Sequence, residues 1–202
     1  MKTKLPHIDA DLIRAALALI SVNDGTSMVT KVVHINSQHI EATNGRALIR
    51  MKHNAEFDQD VAVQFEHSVP DEAEFLNINS HDDGSHTVTY YRQDPDEKFR
   101  PFEKSELVLM QERYPDFSNL LDCKHKAGKT PYIASVYLAL PYLMFGRGIV
   151  DVLPSEDGLS VLFAMDALTS EIYGEPILIA MAMGNDTQKL SQFFLDQVME
   201  ID

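Results

Sequence analysis

His39-Ile40-Glu41-Ala42-Thr43-Asn44-Gly45-Arg46-Ala47-Leu48-Ile49-Arg50-Met51 is the stretch that decides how the chain folds. Residues 39–42 and 47–51 read as strands, rich in aliphatic side chains. Between them Thr43-Asn44-Gly45 reads as a local kink, because glycine takes a positive φ without a Cβ clash and Thr and Asn bond to nearby backbone. Upstream, residues 28–35 are rich in Val and Ile and are expected to form a strand, with Asn36-Ser37-Gln38 as a turn. Downstream, Val61-Ala62-Val63-Gln64-Phe65 alternates apolar and polar, the period of a half-buried strand.

Before these strands, Leu12, Ile13, Ala16, Leu17 and Ile20 recur at helical spacing. A helix over 9–21 follows, with Asp9 as the N-cap that accepts a free backbone N–H, a short strand ahead of it, and Asn23-Asp24-Gly25 at its end. Residues 66–112 are polar and strand-like. Strands are expected at 75–78, 86–92 and 106–110, joined by Asp82-Asp83-Gly84 and Asp94-Pro95-Asp96, with no helix.

After a short basic connector at 122–130, the opening pattern returns about 125 residues on. Ile8 aligns with Ile133, Ile13 with Leu138, Leu19 with Met144 and Ile20 with Phe145. Strands are then expected at 149–153, 159–165 and 176–183. Pro141 cannot sit inside a regular helix, where it costs about 3 kcal/mol, so a kink or a helix start is expected there. In the tail, Leu190, Phe193, Phe194, Gln197, Val198 and Ile201 share one helical face. The expected organisation is a first domain at 1–118, a second module at 119–184 and an amphipathic helix at 185–202.

The 202 residues carry a formal net charge of −14 and 45% hydrophobic residues, which suits a globular protein with a core. So acidic a chain is no conventional DNA reader, although a protein that surrounds DNA needs positive charge only on its inner surface. No apolar run reaches the length of a membrane span, and the N-terminus lacks the apolar stretch of a secretory signal. Cys123 is the one cysteine, so no internal disulfide is expected and a reducing cytoplasm fits. Phosphate-loop, dinucleotide-fingerprint, zinc-protease and nucleophile-elbow motifs are all missing from the sequence. His81-Asp82-Asp83 and the acid pair Asp71-Glu72 read as solvated turns, without apolar flanks to raise a carboxyl pKa. Nothing here calls for a cofactor, a metal or an enzyme.

Three short motifs carry a resemblance to a known family. Ala42-Thr43-Asn44-Gly45-Arg46-Ala47-Leu48 resembles the strand break of bacterial DNA polymerase III beta subunits, the beta sliding clamps, with Asn44 where Asp is usual. Arg113-Tyr114-Pro115-Asp116-Phe117 resembles the segment that ends one clamp domain. Ile179-Ala180-Met181-Ala182-Met183 resembles the final clamp strand, with Ala182 where Pro is usual. Their order is that of the family, and with the repeated modules they cover most of residues 5–184. The chain has room for about half of a three-domain clamp subunit, so a shortened protein of phage, prophage or mobile-element type is implied.

The resemblance implies an α+β, DNA-clamp-like fold of repeated helix-plus-antiparallel-strand modules. It implies a non-catalytic processivity factor of DNA replication that self-associates as a homo-oligomer around double-stranded DNA and binds a polymerase or other clamp-binding proteins. Carried to matching positions, the peptide pocket would use Thr43, Gly45, Arg46, Leu48, Met181 and Met183. Non-specific DNA contacts would fall to Arg14, Lys124, Lys126, Lys129 and Arg147. A second reading keeps the clamp fold without encirclement, as a regulatory protein that binds a polymerase or a host clamp. In that reading Gln188-Lys189-Leu190-Ser191-Gln192-Phe193-Phe194 loosely resembles a clamp-binding peptide, although its clean periodicity favours a helix packed on its own domain.

Overall fold

The computed structural model describes residues 7–22, 27–94, 96, 98–128, 131–146 and 148–183. A two-residue strand β1 (Ile8–Asp9) leads directly into helix α1 (Ala10–Ser21), whose first turn is capped by the Asp9 carboxylate accepting from the Asp11 N–H at 2.9 Å. The expected strand at 28–35 is shorter than its composition suggests. Met28–Lys31 forms a 3-10 turn, and only β2 (Val33–Ile35) is strand. A hairpin of β3 (His39–Thr43) and β4 (Ala47–Lys52) follows, then β5 (Val61–Phe65). Thr43-Asn44-Gly45 is therefore a chain-reversing turn and no mere kink, since Thr43 pairs with Leu48 across it. Residues 66–112 supply β6 (Phe75–Ser80), β7 (His86–Gln93) and the long β8 (Phe99–Leu109).

The second half opens with a single helical turn, α2 (Ser118–Leu121). The helix expected around Pro141 is broken into α3 (Ser135–Leu138) and α4 (Leu140–Phe145). Proline sits in the first turn of α4, where its missing N–H is no loss. Strands β9 (Val150–Pro154), β10 (Ser160–Met165) and β11 (Ile177–Met181) follow, with α5 (Ala167–Ile172) between the last two. That helix escapes a reading by strand patterns. Its signal is Asp166, whose carboxylate accepts from the N–H groups of Leu168 and Thr169 and from the Thr169 hydroxyl. These bonds hold its pKa down at about 2. The amphipathic tail lies outside the described residues.

All eleven strands join one antiparallel sheet in the order β1-β6-β7-β8-β5-β2-β3-β4-β11-β10-β9. The fold is mixed α+β. The run β2-β3-β4 meets β11-β10-β9, so two helix-then-three-strand units join through their third strands. The sheet thus crosses the boundary expected near residue 118. Helices α1 and α4 pack on each other, and both contribute to the same apolar core. That core takes Leu12, Ala16 and Leu19 from α1, Leu140, Met144 and Phe145 from the α4 region, and alternate strand residues such as Ile40, Ala42, Ile49, Leu178 and Ala180. Among the described residues no helix is long and apolar enough to cross a membrane.

The connection into β11 is the tightest point of the junction. Gly174 has φ +66°, its carbonyl accepts from the Lys52 N–H at 2.7 Å, and a Cβ there would lie 1.8 Å from the Lys52 carbonyl oxygen. No L side chain fits without displacing the end of β4. Gly174→Ala is expected to cost about 2–4 kcal/mol, from a positive φ plus a backbone clash. Urea unfolding should show the midpoint falling at unchanged slope.

Candidate functional site

Because strand side chains alternate, the residues between the core positions point to the opposite face of the sheet. Leu48 of β4 and Ile179 of β11 are directly paired there, and each is only 1% exposed. They line an apolar groove of about 330 Å³. One end is the β3–β4 turn, with Thr43, Gly45 and Arg46. Met181 lines it from β11, Val29 and Thr30 from the 3-10 turn, and Pro115, Phe117 and Leu120 from the chain that follows β8. Met181 is 46% exposed, so a flexible thioether stands open at the groove.

The turn is held by its own side chains. The Thr43 hydroxyl donates to the Ala47 carbonyl at 2.8 Å and accepts from the Gly45 N–H at 3.1 Å. Gly45 takes φ +81°, the left-handed region. Asn44 is fully buried, and its side-chain oxygen accepts from the N–H groups of Arg46 and Ala47. Its amide nitrogen donates to the Leu19 carbonyl at 3.2 Å, near the end of α1. This last bond calls for an amide at position 44. A carboxylate has no hydrogen to donate, and it would face the negative end of the helix dipole.

Residues 110–128 cross this face of the sheet. Tyr114 stacks on His34 with ring centroids 4.4 Å apart and packs beside Val32, Ala62 and Met110. Its hydroxyl is buried with no hydrogen-bond partner among the described residues, and burial raises its pKa well above the usual tyrosine value. His34, Glu41 and Arg50 are cross-strand neighbours on β2, β3 and β4. His34 bonds Glu41 at 3.0 Å and Asp60 at 2.8 Å, while Arg50 pairs with the other Glu41 oxygen. Burial disfavours a charged His34 ring, but its bonds to Glu41 and Asp60 outweigh that and raise its pKa above 6.5. Burial likewise opposes ionised Glu41, and the bonds from His34 and Arg50 prevail, lowering its pKa. This ion cluster anchors Tyr114, hence the groove wall of Pro115 and Phe117.

Five of the six residues expected in a peptide pocket converge here: Thr43, Gly45, Arg46, Leu48 and Met181. Met183 does not line the groove, and its N–H donates to the Tyr132 carbonyl at 2.7 Å. Phe117, Leu120 and Val29 complete the groove but are not foreseen as site residues. Phe117 and Pro115 lie within the Tyr-Pro-Asp-Phe motif, which reads as a linker because nothing local says that it folds back over the sheet. A second recess of about 390 Å³ lies beyond α2, against β10 and β11, and shares Ile179.

Of the residues expected to contact DNA, Arg14, Lys124 and Lys126 are among the described residues. Arg14 donates to the carbonyls of Pro70, Asp71 and Ala73 and pairs with Asp11, so its guanidinium ties α1 to the 70–73 loop. Lys126 pairs with Glu156 at 2.9 Å, and both it and exposed Lys124 lie on the segment that bridges to the β9–β10 turn. Lys129 and Arg147 lie outside the described residues. In α1, α3 and α4 the charged side chains are Asp11 and Arg14 alone, which pair with each other. No group of three or more metal-ligating side chains occurs among the described residues. No protein-family model, curated protein or solved structure matches the chain.

Two outcomes follow for the site. Asn44→Asp should destabilise the fold by about 1–3 kcal/mol through a buried acceptor left facing a carbonyl, measurable by thermal or urea unfolding. For His34, a folded pKa above the unfolded one means that its stabilisation is complete below about pH 6.5 and fades as pH rises through the folded value. The stability gap between the native protein and His34→Gln should therefore be widest near pH 6 and narrow by pH 8.5, followed by urea unfolding at each pH.

Proposed function

We propose that this chain is a clamp-like partner-binding protein of DNA replication, whose groove takes a short apolar peptide from a polymerase or another clamp-binding protein. The observation that carries this reading is the groove itself. Three sequence segments, each picked out by its likeness to a beta clamp motif, lie next to one another around a single apolar cleft. The turn at 43–46, the crossing segment at 115–117 and the last strand at 179–181 are up to 138 positions apart in the chain. A concave apolar site with a few polar groups at its end suits an extended peptide with aliphatic or aromatic anchors. Arg46, exposed at that end, supplies a cation for the peptide's backbone or an acidic side chain.

Encirclement of duplex DNA by a homo-oligomer is the second reading. It is supported by α1 and α4 lying together on one face of the sheet, the side that would line a ring. The weak point is charge. Sliding on phosphates draws on Lys and Arg near the duplex, and the helices offer one arginine already paired. The non-encircling version is therefore favoured, as a module that docks on a replication partner and leaves the DNA to it.

A fluorescein-labelled peptide with a glutamine followed by leucine and phenylalanine anchors tests the groove. Saturable anisotropy is expected, with Met181→Glu weakening it at least about tenfold, a loss of roughly 1.4 kcal/mol. Met181 is half-exposed, so its replacement should leave the unfolding midpoint in place. Absence of saturable binding, or equal affinity for the variant, sinks the reading. Retention on closed circular but not linear DNA would turn the choice to the encircling form.

A further inference from the structure

His34 makes a hydrogen bond from each ring nitrogen, and both go to carboxylates. Nδ1 lies 3.0 Å from Glu41 Oε2, and Nε2 lies 2.8 Å from Asp60 Oδ1. An ionised carboxylate only accepts, and a neutral imidazole has a single N–H to give. The ring therefore satisfies both partners only when it carries its second proton. The two partners are held differently. Glu41 is buried and also pairs with Arg50, whereas the Asp60 side chain is 80% exposed. Loss of the proton breaks one of the two bonds, and Asp60 is the partner free to turn to water.

The same ring carries the crossing segment. Tyr114 lies almost flat on it, with centroids 4.4 Å apart and planes 19° apart. A cation against an aromatic face attracts its π-electrons, so a charged His34 holds Tyr114 more tightly than a neutral one. The Tyr114 hydroxyl has no hydrogen-bond partner among the described residues and adds no polar anchor of its own. Pro115 and Phe117 of the groove wall follow at once, then α2 with Leu120. The groups around His34 are Glu41 from β3, Arg50 from β4 through Glu41, Asp60 ahead of β5, and Ala62, which pairs with it from β5. On the crossing segment Glu112 and Arg113 are exposed, and Asp116 feels the Arg50 charge. Burial and the Arg50 charge lower the pKa of His39 on β3, so that ring stays neutral above pH 6.5. The bonds from His34 and Arg50 keep Glu41 ionised against its burial. The proton exchanged near neutrality in this cluster is the one on His34.

We infer that the second proton on His34 latches the crossing segment 112–121 over the sheet, so that the groove wall is firm in the charged state and loosens in the neutral one. Any occupant of the groove that needs the wall of Pro115, Phe117 and Leu120 is then linked to that proton. Ligand and proton favour the same state, and each strengthens the binding of the other. This consequence for a peptide rests on the reading of the groove proposed above, whereas the latch does not.

Hydrogen exchange of the full chain, corrected for the intrinsic effect of pH, tests the latch. Between pH 6 and 8.5 the protection of amides in 112–121 should fall about tenfold, while 12–19 and 178–180 hold theirs. His34→Gln should abolish this pH dependence. Asp60→Asn, at an exposed position that the fold tolerates, removes one of the two carboxylates and should move the fall about one pH unit lower. Nitrogen-15 NMR of the His34 ring reads the proton directly, with both nitrogens protonated at pH 6. A neutral ring at pH 6, equal protection of 112–121 at the two pH values, or a fall that persists in His34→Gln would overturn the inference. Calorimetry with the glutamine–leucine–phenylalanine peptide separates it from the reading of the groove. Affinity about tenfold weaker at pH 8.5 in the native protein, and level in His34→Gln, supports both. A segment that loosens with pH in a protein that binds no peptide at either pH upholds the latch and removes the peptide.

Discussion

The pairing of β4 with β11 is the constraint on which the rest of the molecule depends. It joins strands about 130 positions apart and closes two helix-then-strands units into one sheet. Strand alternation then makes one row of residues serve two purposes. Ile49, Leu178 and Ala180 turn towards α1 and α4 and fill the core, while Leu48 and Ile179 turn the other way and line the groove. A slip of one residue in this register would exchange the two sets, putting core residues in the groove and groove residues under the helices. The groove is thus as firmly specified as the core, because the same hydrogen-bond ladder fixes both.

The two faces of the sheet solve different problems. On the helix side, α1 is tied down by one of its own side chains and by one from the β3–β4 turn. Arg14 reaches the 70–73 loop, and Asn44 reaches the Leu19 carbonyl. Each satisfies backbone groups that a loop or a helix end would otherwise leave open. On the other side, a crossing segment with little regular structure is held by a stacked aromatic pair above a charged ladder. Buried His34 and Glu41 and half-buried Arg50 satisfy one another, as a largely buried ion cluster must if it is not to destabilise the fold. Tyr114 rests on that cluster, so electrostatics within the sheet position an apolar wall several residues further along.

Charge is unevenly spread over the elements of the fold. A net charge of −14 is compatible with a local basic surface, but the described helices do not supply one. An uncharged helical surface gains nothing from phosphates and much from a covering apolar partner. The groove and the helices lie on opposite sides of the same sheet.

Much of this was legible from the residues in order. Periodicity located α1 and its Asp9 cap and most of the strands, because these rest on local alternation and on side chains bonding their neighbours. It overextended the strand at 28–35 and passed over α2 and α5, where helices of four and six residues carry too little pattern to read. Five groove residues could be placed by their likeness to family motifs, yet Phe117 and Leu120 could not. Their role exists only once the crossing segment lies over the sheet, a contact set by the distant pairing of His34 with Tyr114. Arg14 shows the same limit in reverse. Its helical position was evident, but whether its charge met water, phosphate or the carbonyls of residues 70–73 depended on where a loop 56 positions away came to rest. Local sequence determines which elements form, since their energies are short-ranged. Tertiary structure alone decides what each side chain meets, because those partners are brought together by the closure of the sheet.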